Sequence, residues 1–249
     1  MDSFLSLVAA IILGSAVSLA GGALIFLSKR RRSRAIALAL PFGAGALLAA
    51  AFFDLLPESF ELGEPRALLL WTLVGFICFF LLERLSSWFH HHHEHSEHER
   101  MEQQNRLVMT GDLLHNIIDG IAIGTAFLVH PATGFITVLA VSAHEIPKEL
   151  GTFGILLSRG WKDKKVIIAN IATALGTLVA ASVVYWFGSV VKLPEAELLA
   201  LVSGFFIYVA ASDIIPEIHE QPRRIGTIQA GVLLSAIVFV GAAVYLLGV

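Results

Sequence analysis

Two apolar stretches of this chain carry acids, amides and imidazoles where a lipid-spanning helix has little use for them. The first, GDLLHNIIDGIAIGTAFLV (residues 111–129), holds Asp112, His115, Asn116 and Asp119. The second, TVLAVSAHEIPKELGTFGILL (residues 137–157), holds His144, Glu145, Lys148 and Glu149. At about 3.6 residues per turn, His115 and Asp119 share one helix face, with Asn116 beside them and Asp112 a turn earlier. His144 and Lys148 share a face in the second stretch, and Glu145 and Glu149 share the adjoining one. Each ionisable group at membrane depth costs at least ~2.5 kcal/mol, so it must face a partner, a cavity or an ion. Nitrogen and oxygen donors converging from two neighbouring helices suit a borderline divalent metal such as zinc. An interhelical hydrogen-bond network without an ion would use the same residue types. Seven of these eight residues could ligate a metal or accept from its shell, which favours the ion.

Such residues need long helices to hold them. The chain has 249 residues, 56% hydrophobic and 15% charged, with a mean hydropathy of +0.77. That is too apolar for a soluble domain of this size and is the composition of a membrane protein. Eight apolar spans, each long enough to cross ~30 Å of hydrocarbon, are expected at approximately 4–27, 36–56, 67–88, 107–129, 134–157, 166–187, 196–216 and 226–248. The first is not read as a cleavable signal, because no basic region precedes it and its apolar run is too long. The fold class expected is an all-α integral membrane protein, an eight-transmembrane-helix bundle. Its lone Cys78 excludes a disulfide within the chain. A net charge of −3 gives no reason to expect a nucleic-acid partner.

Basic residues set the expected orientation. Fourteen of the 17 Lys and Arg residues fall in alternate loops: Lys29 to Arg34, Arg84 to Arg106, Arg159 to Lys165, and Arg223 with Arg224. The opposite loops hold only Arg66 and Lys192, and Lys148 lies within a span. The bias puts the first set in the cytoplasm and both termini outside, in a multi-pass protein of the cell membrane. Short loops elsewhere predict a single membrane domain over 1–249. The exception is a His-rich cytoplasmic loop over 89–105, whose HHHHEHSEHE holds six histidines from His90 to His98. It reads equally as a solvated linker or as a weak cytoplasmic metal buffer or sensor.

One short pattern recurs. Span two ends Asp54-Leu-Leu-Pro57-Glu58 and span seven ends Asp213-Ile-Ile-Pro216-Glu217. The two copies fall at opposite membrane faces, which is what an inverted repeat of spans 1–3 against 6–8, enclosing spans 4–5, predicts. Proline near a span end is also a plain helix stop, and it is the opposed placement of the two copies that favours the repeat. Asp54 and Glu58 could attract a cation at the outer mouth, and Asp213, Glu217 and His219 could receive it inside; Asp112 belongs to the same route. Mid-span, Pro147 frees the carbonyl of Ala143 and is expected to kink the helix where donors converge. Asn170 and Thr173 are expected to bond between helices rather than to ligate.

His115-Asn116-Ile-Ile-Asp119-Gly120 followed by His144-Glu145-Ile-Pro147-Lys148-Glu149-Leu-Gly151 resembles the paired signature of the ZIP (Zrt/Irt-like) metal-ion transporters. The likeness extends to eight spans, outward termini, a His-rich loop after span three, and acid-plus-proline ends of spans two and seven. It implies uptake of divalent metal ions into the cytosol through a site between spans four and five. Zn2+ would be the transported substrate, with iron, manganese or cadmium moved by other members, and a homodimer is a further implication. Carried over, His115, Asp119 and His144 would be primary ligands, and Asn116 and Glu145 would serve an adjoining second position. Lys148 departs from the pattern: the branch of the family that this chain most resembles, with motifs HNxxDG and HExPHE, has histidine there. A lysine ammonium has no lone pair to give. It would act as a built-in charge paired with Glu145 or Glu149, leaving one transported ion; a neutral lysine ligand is the alternative.

Rival functions use the same residues. His144-Glu145 opens like the HExxH of a zinc protease, but Lys148 stands where the second histidine must be. No nucleophile elbow occurs in the chain, so an enzyme is not expected. A membrane metal sensor needs no acid pairs at opposite faces, and an exporter would share the topology.

Overall fold

The computed structural model describes residues 2–22, 29–88, 97–158 and 160–248. Among the described residues every regular element is helical. The helices are α1 (Asp2–Gly22), α2 (Lys29–Ala50), α3 (Leu56–Leu62), α4 (Pro65–Trp88), α5 (Glu97–Val129), α6 (Pro131–Ser158), α7 (Asp163–Val190), α8 (Glu195–Tyr208), α9 (Ile215–His219) and α10 (Arg223–Leu247). Among the described residues seven spans are long and apolar enough to cross a membrane by length and composition, those of α1, α2 with α3, α4, α5, α7, α8 and α10. The 28-residue α6 is not among them. His144, Glu145, Lys148 and Glu149 dilute its apolar run.

Most helix ends lie within a few residues of the spans expected from the apolar runs. The expected loop 89–105 is shorter than its sequence suggests, because α5 already begins at Glu97. Its first residues, EHERMEQQNR, are largely good helix formers and extend the span by propensity alone. The histidine tract over 89–96 lies outside the described residues, as does the 23–28 end of the first span.

Spans two and seven do not stop at their prolines. Each passes through a π-helical turn, Ala51–Leu55 and Val209–Ile214, before α3 and α9 resume the helix. The residue before each proline donates its N–H five residues back, Leu56 to Ala51 O and Ile215 to Ala210 O. Proline lacks an N–H, so one inserted residue re-pairs the backbone around it and lets the proline begin the next helix. A plain helix stop does not describe either copy.

Helix packing is tight where side chains are small. α2 carries the buried run Ala44, Ala46, Leu47, Ala49 and Ala50. It packs on α6 and α10, while α5 packs on α6 and α7, α1 on α6, and α4 on α8. At Gly43 an added Cβ would lie 2.8 Å from His144 Cα, so only glycine admits α2 this close to the polar stretch of α6. Large apolar side chains such as Val238, Tyr245 and Leu246 on α10 project outward, as a lipid-facing surface requires.

Candidate metal centre

The two polar stretches meet where α5 crosses α6. His115 and Asp119 come from successive turns of α5, and His144 and Glu145 from one turn of α6. One ligand-type atom from each lies within 4.8 Å of the other three. The Nε2 atoms of His115 and His144 are 3.2 Å apart. Asp119 Oδ2 is 3.6 Å from the first and 3.5 Å from the second. Glu145 Oε1 is 3.7 Å from each. Zinc bonds of about 2.0–2.1 Å in a tetrahedron would separate the ligand atoms by roughly 3.3 Å. Five of the six edges therefore match a four-coordinate ion already.

Two further observations bear on that fit. Asp119 Oδ2 is buried and has no hydrogen-bond partner among the described residues, its nearest imidazoles standing beyond good hydrogen-bond range. Such an orphaned acceptor is expensive unless something fills the space it faces. His144 Nδ1 lies 3.2 Å from the Ala140 carbonyl one turn back. Donating there fixes the Nδ1–H tautomer and leaves the Nε2 lone pair facing the cluster, the usual arrangement of a ligating imidazole. Aromatic rings close the wall on one side. Phe79 of α4 meets His115 edge-on with centroids 5.5 Å apart, and Phe206 of α8 lies 6.5 Å from His144.

The other sequence-nominated residues are placed differently. Lys148 Nζ donates to Glu145 Oε1 at 2.7 Å and pairs with Asp112 Oδ1 at 2.9 Å. Asn116 is spoken for at both ends: its Nδ2 donates to the Asp112 carbonyl at 3.0 Å, and its Oδ1 accepts from Thr177 Oγ1 at 2.9 Å. Glu149 is buried, faces Ser18 of α1, and keeps one carboxylate oxygen without a partner among the described residues. Glu149, Ser18, Asn116, Glu145 and Thr177 border a small cavity of about 20 Å³, enough for one water. Asp54 is almost wholly buried on its π-helical turn, faces Thr133, and Glu58 follows a turn later, half-buried. His219 is exposed at the end of α9, and the side chains of Asp213 and Glu217 lie outside the described residues.

Some of this was not readable in advance. Thr177 bonds across to α5, whereas Asn170 and Thr173 bond within α7, to Val166 O and Asn170 O. α6 is helical throughout Pro131–Ser158, Pro147 included. The Ala143 carbonyl freed by Pro147 faces Gly43 of α2, whose added Cβ would lie 3.1 Å from it. Phe79, Phe206 and Ser18 carry no sequence signal of their own and enter only through the packing.

The sequence matches the ZIP zinc transporter family over residues 4–109 and 106–247, nearly its whole length. The chain belongs to this family. Zinc transporter foi of Drosophila melanogaster is 36% identical over 132 residues, which are 53% of this chain and 19% of that protein. Mouse zinc transporter ZIP4 is 42% identical over 110 residues, 44% of this chain and 16% of the relative. Zinc transporter ZIP13 of Pongo abelii is 29% identical over 212 residues, 79% of this chain and 63% of the relative. The chain thus spans less than two thirds of each of these ZIP relatives. ZIP membership and the apolar helices together make it a multi-pass membrane protein.

Proposed function

We propose that this ZIP protein carries Zn2+ across the membrane into the cytosol, binding it between α5 and α6 through His115, Asp119, His144 and Glu145. The observation that carries the reading is the set of four converging donors, five of whose six separations suit tetrahedral zinc. Two neutral imidazoles and two carboxylates carry two negative charges, which the ion neutralises, in a cage that replaces its water yet can release it. Imidazole ligands must be unprotonated, so acid weakens the site.

The eight-span, outward-termini arrangement is part of the same reading, with α6 as the fifth span. Its support is a set of mirrored interfaces: α1 on α6 answers α7 on α5, and α2 on α10 answers α8 on α4. The twin π-helical turns at Pro57 and Pro216 are related in the same way. An inverted repeat of spans 1–3 and 6–8 around spans 4–5 generates all of these pairings. Asp54 and Glu58 would then collect the ion at the outer mouth, and Asp213, Glu217 and His219 would receive it inside. A sensor has no use for twin routes, which favours transport over static binding. X-ray absorption on the zinc-loaded protein tests the site: two imidazole nitrogens and two carboxylate oxygens near 2.0 Å are expected. Sulfur or purely oxygen coordination would overturn it.

A further inference from the structure

We infer that Lys148 is a tethered cation that fills the second cation position of this centre, so that the centre takes one divalent ion at a time. The inference rests on the metal-centre reading above and adds its stoichiometry. Asp112 and Glu145 point carboxylate oxygens at one place, one turn from the tetrad, and Lys148 Nζ sits in it at 2.9 and 2.7 Å. A pair of carboxylates approaching a common point from two helices has the donor chemistry to hold a divalent ion. Here an ammonium fixed to α6 is already in place, and it cannot be carried away with the substrate.

Charge argues the same way. Asp112, Asp119 and Glu145 supply three negative charges and Lys148 one positive charge, so a single divalent ion in the tetrad brings this group to neutrality. A second divalent ion would have to displace the ammonium into surroundings that are largely protein, since the Lys148 side chain is only 23% exposed. Glu145 Oε1 is the shared atom, touching Lys148 at 2.7 Å and facing both imidazoles at 3.7 Å. Lys148 therefore also orients the oxygen the transported ion needs, leaving it directed at the tetrad when the ion is absent. The second partner is Asp112 and not Glu149, which faces Ser18 instead.

The test counts zinc bound per purified chain by equilibrium dialysis in detergent, with the six histidines from His90 to His98 changed to Gln to silence the loop. One ion is expected for Lys148 and for Lys148→Arg, and two for Lys148→His. Lys148→Gln, which supplies a neutral oxygen in place of the cation, is also expected to bind two. A count that stays at one in both neutral variants, each still monodisperse, would overturn the inference while leaving the tetrad standing. Two ions in the unsubstituted chain would overturn it without any variant. No ion at all would remove the metal-centre reading and the inference with it.

Discussion

The Nε2 atoms of His115 and His144 face one another across 3.2 Å, from helices that meet through their polar turns. Two imidazoles held this close, beside an unpartnered Asp119 oxygen, have the spacing that half of a tetrahedral zinc sphere needs. Changing His144 to Ala should weaken zinc binding by more than the roughly 10–100-fold that losing a mere supporting group costs. Isothermal titration of purified protein, with the loop histidines silenced, measures it. His115→Ala should match it, since both nitrogens stand equivalently toward Asp119 and Glu145.

Gly43 sets how near α2 comes to His144. Gly43→Val should destabilise the fold by about 1–3 kcal/mol as an overpacked helix crossing and should also weaken zinc binding by moving the imidazole. Gly231→Ala is the control, because a Cβ there meets nothing within 4 Å. Thermal unfolding in detergent compares the two; equal melting temperatures would contradict the packing argument.

Thr177 Oγ1 donates to Asn116 Oδ1 at 2.9 Å and links α7 to the polar stretch of α5. Thr177→Val should lower stability by about 0.6 kcal/mol, the average for a hydrogen bond between membrane helices. The number of zinc ions bound should not change. A lost ion would show that the Thr177–Asn116 bond supports the metal centre.

The Asp54 carboxyl group is almost fully buried, with neither oxygen bonded among the described residues. If it receives the ion on the way in, Asp54→Asn should raise the half-saturating zinc concentration for uptake by roughly tenfold, or ~1.4 kcal/mol. Zinc bound at equilibrium to the tetrad should stay the same, separating an entrance role from a ligand role.

Much of the site was legible because membrane-depth polarity is so costly that each of its residues is conspicuous. His115 and Asp119 follow from a four-residue helical spacing, and His144 and Glu145 from their place in the opposite stretch. Spacing along one helix says nothing about which residues of two helices meet, so the Lys148–Asp112 pair was not foreseen, and Glu149 stood as an equal candidate partner. Asn116 is a candidate because an amide oxygen can ligate; its bond to Thr177 depends on how α7 packs and has no signal in the sequence. Prolines 57 and 216 read as helix ends, and a π-helical turn is a backbone solution that residue identities do not announce. α5 ran past its expected start because propensity continued the helix beyond the apolar run.

The measurement that bears most directly on the account is zinc uptake into proteoliposomes, comparing the unsubstituted chain with His115→Ala and Asp119→Ala. Saturable uptake by the former, abolished by either substitution in protein that still inserts and stays monodisperse, is the predicted result. Uptake that survives both substitutions would contradict the claim that zinc crosses through the tetrad between α5 and α6.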